Sequence, residues 1–153
     1  MRKFIFITLL FLLAQVHGFA QTDSKMPSAP SDSKANLKAV KSSPAYAELL
    51  LRKVEREAQL EELAPDYTDE FPKVKEIKFE LSLISQALER ILAVKPAESG
   101  KLTLALGKLL VRKTELGTDL WSLHQQFTDE RPEVKRLRRK IEIYEQAIKE
   151  ILL

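Results

Sequence analysis

Cysteine is absent from all 153 residues. Its absence excludes a disulfide framework, a thiol nucleophile, thiolate metal ligands and the lipid-modified N-terminal cysteine of bacterial lipoproteins. Histidine occurs only twice and glycine four times. With no repeated histidine and no glycine-rich phosphate loop, nucleophilic, metal and nucleotide chemistry have no constellation to build on. Neither charge sign dominates: 25 basic residues stand against 22 acidic ones, and two of the basic ones, Arg2 and Lys3, sit at the extreme N-terminus. The longest apolar run, Phe4 to Val16, is too short for an ordinary membrane span.

Arg2 and Lys3 ahead of that run, with Gly18-Phe19-Ala20 after it, form the pattern of a cleavable secretory signal over residues 1–20. The mature chain then begins at Gln21, retention as an N-terminal anchor being the alternative. A cysteine-free exported chain held by packing alone suits a bacterial periplasmic helical protein better than a small animal secreted domain. The periplasm is therefore the expected location, with secretion as the alternative. Residues 21–43 carry Ser, Lys, Asp and Ala with Pro27 and Pro30 and no aromatic side chain. Such a segment reads as a flexible leader, with transient helix over Ala35 to Val40. The remainder, from Pro44 onward, has the size of one domain.

That remainder contains one helical unit written twice, sixty residues apart and without a gap. When Leu49–Leu92 is aligned on Leu109–Leu152, seventeen of the 44 positions are identical. Each copy reads as helix, short break and helix, a supersecondary unit that cannot bury its apolar face alone. The expected organisation is a first hairpin over 44–93, a linker over 94–100 and a second hairpin over 101–153. Ser43 before Pro44 predicts an N-cap with proline at the first helical position, and Pro96 with Gly100 ends the first hairpin.

In the first helix Tyr46, Leu49, Leu60, Leu63 and Tyr67 share one face, interrupted by Lys53 and Arg56. Its counterpart carries Leu102, Leu106, Leu109, Leu116, Leu120 and Leu123 in the same phase. The second helix of each unit is cleaner: Val74, Ile77, Leu81, Ile84, Leu88 and Ile91 alternate spacings of three and four. Val134, Leu137, Ile141, Tyr144, Ile148 and Ile151 repeat them. This is the seam of a coiled coil, and a short break makes each pair antiparallel. Leu50, Leu51, Val54, Leu83, Leu104, Leu110, Val111 and Ile143 lie off the seam. Burying them requires the hairpins to stack on each other, or on a second chain, as a four-helix arrangement. The predicted fold class is all-α. Lys53 and Lys113 occupy equivalent seam positions; each is either a register device or, the favoured reading, a long side chain reaching out to solvent.

The most distinctive text lies at the breaks: Tyr67-Thr68-Asp69-Glu70-Phe71-Pro72-Lys73-Val74 and Phe127-Thr128-Asp129-Glu130-Arg131-Pro132-Glu133-Val134. An aromatic closes one helix, Thr68 or Thr128 offers a capping oxygen, two carboxylates complement the next helix's positive end, and proline is tolerated in its first turn. A metal site from Asp66, Asp69 and Glu70 is disfavoured, because the second copy has Gln126 for Asp66 and no calcium-loop glycine.

This aromatic-Thr-x-x-x-Pro-x-Val phrase ahead of a heptad helix resembles the periplasmic hairpins of polysaccharide chain-length determinant and exopolysaccharide export proteins, the polysaccharide co-polymerase group. That family commonly places His before the proline, where this chain has Phe71 and Arg131. The resemblance covers about 45 residues per copy and implies an extracytoplasmic helical rod that organises an envelope machine, with a link to polysaccharide export.

His124 reads as a hairpin-tip residue, and neighbouring carboxylates such as Glu61-Glu62 point different ways along a helix. No catalytic or metal-binding residue, enzyme activity or cofactor is expected. Lys135, Arg136, Arg138, Arg139 and Lys140 crowd the last helix where the first copy mixes signs. They form either a docking strip for anionic lipid, acidic polysaccharide or an acidic protein face, or an ordinary exposed face paired with neighbouring acids. Nucleic acid is disfavoured by the export signal. Trp121 is an interface anchor or part of the core between hairpins. The expected function is an exported coiled-coil scaffold or adaptor, acting through an envelope protein partner or self-association. A ligand-binding or holdase module using the groove between hairpins, or the basic strip, is the alternative.

Overall fold

The computed structural model describes residues 31–153. The expected signal peptide and the first ten residues of the expected leader lie outside them. Among the described residues there are five α-helices and no strand: α1 (Ser31–Lys41), α2 (Pro44–Leu63), α3 (Pro72–Leu92), α4 (Leu104–His124) and α5 (Pro132–Leu152), with a 3-10 segment, Pro96–Lys101, between α3 and α4.

The long helices begin where local chemistry satisfies their unpaired amides. Ser43 accepts a hydrogen bond from the Tyr46 amide, and Thr103, sixty residues on, accepts one from Leu106, both at 3.3 Å. Pro44, Pro72 and Pro132 each open a helix at a position where no amide is needed. The leader expected over 21–43 is shorter than predicted, because residues 31–41 form α1. Val40 is buried in the main apolar cluster beside α3 and the 3-10 segment. Considered alone this stretch lacks the apolar area to order itself, but the ends of the hairpins supply a surface for Val40 to cover. Leu102, expected on the helical seam, lies just before α4. It is buried at the end of the 3-10 segment, and its carbonyl accepts the Ala45 amide at 3.2 Å.

Side-chain partners set the helix directions. Arg52 and Arg56 on α2 meet Glu80 on α3, and Lys113 on α4 meets Glu145 on α5, so each α-helical pair folds back on itself. Between hairpins, Arg52 reaches Glu115 at 3.0 Å, placing α2 and α4 side by side and parallel. Phe79 stacks on Trp121 with centroids 5.1 Å apart, placing α3 against α4. At ~1.5 Å per residue these helices are rods of about 30 Å.

The stack is offset rather than square. α4 packs on α2, α3 and α5, whereas α5 packs chiefly on α4. The seams are largely covered as the periodicity predicts, Leu49, Ile77, Ile84, Ile91, Leu116 and Ile148 being fully buried and each contributing about 1.5–3 kcal/mol, whereas Tyr67, expected on the first seam, is exposed at its break. The residues off the seam divide. Leu110 is buried and Leu83 and Val111 are half-buried, but Leu50, Leu51, Val54, Leu104 and Ile143 remain exposed. Stacking of the two hairpins on each other thus covers only some of them. An offset pair of hairpins shields only the faces turned toward the other hairpin and leaves the outer faces of α2 and α5 bare.

Candidate functional site

The repeated phrase builds the same device at each of the two breaks, which lie at the same end of the stack. Tyr67 and Phe127 close α2 and α4, their backbone amides donating hydrogen bonds to the Leu63 and Leu123 carbonyls. The residue before proline then covers that aromatic: Phe71 stacks on Tyr67 at 4.0 Å, and the Arg131 guanidinium lies 4.4 Å over the Phe127 ring. Thr68 and Thr128 do not act as side-chain caps. Their backbone carbonyls accept the Phe71 and Arg131 amides, and the N-caps of α3 and α5 have no side-chain bond. The N-cap residues are Phe71 and Arg131, which carry no hydroxyl, and each threonine stands three residues ahead of the capping position.

The carboxylates complement side chains rather than bare helix amides. Asp69 meets Lys78 and Asp129 meets Arg138, both at 2.7 Å, while Glu70 meets Lys75 and Glu130 meets Lys135. Each tip is thus bracketed to the first turns of the following helix by two equivalent ion pairs, all exposed and individually weak. His124 Nε2 lies 2.9 Å from the same Asp129, which places the histidine in the second tip. Asp66, with Asp69 and Glu70, belongs to the first tip. Among the described residues no cluster of three or more His, Asp or Glu side chains is arranged to hold a metal ion.

The basic strip is partly occupied. Lys135 and Arg138 are held by the tip carboxylates and Arg136 by Glu133 at 3.4 Å, all acids of its own hairpin. Arg139 and Lys140 are exposed and have no ion partner among the described residues. Trp121 is not beside them; it stacks on Phe79 in the α3–α4 contact, within the core between hairpins.

A groove of about 430 Å³ runs between the hairpins, with Leu110, Thr114 and Gly117 of α4 at its floor and Leu83, Ala87 and Ile141 on its walls. Two of the residues that line it, Arg90 and Lys113, meet at one carboxylate. Glu145 of α5 accepts from Arg90 of α3 at 2.9 Å and from Lys113 of α4. Through Glu145, Lys113 joins a trio that ties three helices together. Lys53, its equivalent, pairs only with Glu57 one turn along its own helix, as a solvent-seeking side chain does.

Burial pushes the Glu145 carboxyl up, but Lys113 and then Arg90 outweigh it and hold it below its ordinary value of 4.5. A carboxylate whose folded value is depressed contributes stability above its unfolded value, and loses it as pH falls through the folded one. The urea midpoint should therefore fall more between about pH 7 and about pH 3 in the natural protein than in Glu145→Gln. Equal losses would show that this trio contributes nothing to acid sensitivity.

Sequence reasoning missed the largest buried polar feature. Glu80 of α3 is 4% exposed and lies 2.8 Å from Arg52 and 2.9 Å from Arg56, with Arg52 continuing to Glu115 of α4. Arg56 Nε, though close to Glu80, is out of line for a hydrogen bond. The available signal was Arg56 itself, a charge at a seam position whose equivalent is Leu116. A seam arginine implies a buried acid across the hairpin. No reactive constellation emerges from any of these places; they offer faces, a groove and ionic ties. Compared with protein-family models, with curated proteins and with solved structures, the chain matches none.

Proposed function

We propose that the protein is an exported, non-enzymatic helical scaffold or adaptor of the bacterial cell envelope, linked to polysaccharide export. The observation that carries this reading is the distribution of bare apolar groups. Leu50, Leu51 and Val54 on the outside of α2 and Ile143 on the outside of α5 are exposed, and charged side chains flank both faces. Rigid rods with greasy, charge-rimmed outer faces bind other surfaces. Export is supported by the signal-like N-terminal sequence. The polysaccharide link is supported by the phrase at the two tips alone.

A second reading is favoured by the groove, whose apolar floor and cationic rim suit a small amphiphile with an anionic head. One experiment separates the two. The protein is produced in a Gram-negative host with a photo-crosslinking residue at Leu51 in one variant and at Gln86, beside the groove, in another. The scaffold reading expects an extracytoplasmic product beginning at Gln21, with an envelope protein captured from Leu51. Capture of a lipid or other small amphiphile from Gln86 alone would favour the groove. A product retained in the cytoplasm with its first twenty residues intact would sink both as envelope functions.

A further inference from the structure

The outer face of α2 is the positional equivalent, sixty residues earlier, of the face by which α4 docks on the first hairpin. Leu110, Thr114, Thr118 and Trp121 of α4 are turned toward α2 and α3. Sixty residues earlier the same positions are Leu50, Val54, Ala58 and Glu61, all exposed. The surface that receives α4 includes Arg52, Phe79 and Leu83. Its equivalents on the second hairpin are Arg112, Arg139 and Ile143, again all exposed, Ile143 at 68%. The molecule therefore carries one half of its internal interface, unused, on each side.

We infer that a second copy of this chain occupies these faces: α2 of one molecule docks across α4 and α5 of the next as α4 docks across α2 and α3 within a chain. Charge supports this partner over others. Where Glu115 meets Arg52 inside the chain, Glu55 meets Arg112 between chains; where Trp121 stacks on Phe79, Glu61 meets Arg139. Lys140, in the place of Glu80, adds to the basic side of the contact. The α2 face is apolar with an acidic flank and the receiving face is apolar with a basic one, so each repels its own kind and attracts the other. Leu50 and Val54 cover Ile143 and Ala147, in place of Leu110 and Thr114 beside Leu83 and Ala87.

The contact joins two different surfaces. It is heterologous and repeats head to tail, extending the two-hairpin stack into a longer array unless it closes into a ring. It is also looser than its internal counterpart. Gly107 and Gly117 approach the first hairpin so closely that a Cβ would come within 2.9 Å and 2.8 Å of its atoms. Ala47 and Glu57 stand at those positions in α2, so the chains sit farther apart and exchange. This inference deepens the scaffold reading by naming a partner, but its test reads assembly of purified protein and does not depend on export or on polysaccharide.

Sedimentation of the purified protein over a range of concentrations provides the test. The natural chain should form a series of species extending beyond a dimer. Glu61→Arg alone and Arg139→Glu alone should each shift the association midpoint to at least about tenfold higher concentration. An equimolar mixture of the two variants should recover assembly, because each then offers the other a complementary face. Ile143→Asp, at an exposed site, should keep its helical circular dichroism and remain monomeric. A natural chain that stays monomeric at about 1 mM overturns the inference. So does a closed dimer indifferent to both charge variants, or assembly that Ile143→Asp leaves intact.

Discussion

Gly107→Leu is expected to cost about 3 kcal/mol or more of folding stability, read as a lower urea midpoint. Gly107 lies where α2 and α4 come closest, beside the bond from the Ala45 amide to the Leu102 carbonyl. A Cβ there would lie 2.9 Å from both Ala45 Cα and Glu48 Cβ, and 3.2 Å from the Ala45 carbonyl oxygen. Two of these three atoms are backbone, so no rotamer change relieves the contact and the helices must part. Separation also loosens Leu49 and Leu106, both fully buried in the same cluster. Gly107→Ala should also destabilise, by less, because alanine's helix propensity offsets about 1 kcal/mol of the strain. Gly100 is the control. A Cβ at that position meets nothing within 4 Å, and Gly100→Ala should leave stability within about 0.5 kcal/mol of the natural protein. If Gly107→Leu were equally silent, the close α2–α4 approach would be wrong.

Glu80→Ala is expected to cost about 3 kcal/mol, because it strands the positive charge of Arg56 and half of the Arg52 partnership in a nearly closed site. Arg52 keeps Glu115 at 3.0 Å, so the greater penalty falls on Arg56, whose side chain is only 17% exposed. The second copy of the unit supplies the remedy, since it has Leu116, fully buried, where the first has Arg56. Arg56→Leu combined with Glu80→Leu should therefore recover most of the loss. Replacing a buried ion pair by apolar groups of similar volume is often neutral or stabilising. A double-mutant cycle in urea measures both, and a double variant as unstable as Glu80→Ala would show that the ions are needed for more than mutual compensation.

Neither of these two sites could be read from the chain as the breaks and seams could. The Ser43-Pro44 start, the two breaks and the buried row from Val74 to Ile91 were legible because capping and three-four spacing depend on residues within a few positions of one another. The all-α class follows from the same local rules. Gly107 carries no such mark, and a lone glycine in a helix is equally compatible with mere tolerance. Its meaning comes from Ala45, sixty-two residues earlier. Glu80 reads as a surface residue until α2 lays Arg52 and Arg56 over it. The helix at Ser31–Lys41 was legible only as a transient one, over Ala35 to Val40, for a related reason, as its one strongly buried side chain, Val40, gains a partner only when both hairpins are assembled. Thr68 and Thr128 illustrate the opposite error: the right residue type stood near a helix start, but three residues ahead of the N-cap position, which Phe71 and Arg131 hold.

By itself the sequence determined a pair of helical hairpins, where each bends, and which stripe of each helix is apolar, since those properties arise from contacts a few residues apart and are stated twice. Tertiary structure alone decided the offset between the hairpins, which follows from the glycine contacts and the Arg52–Glu115 bridge between helices distant in the chain. That offset settles which apolar faces are shielded and which, on α2 and α5, stay exposed.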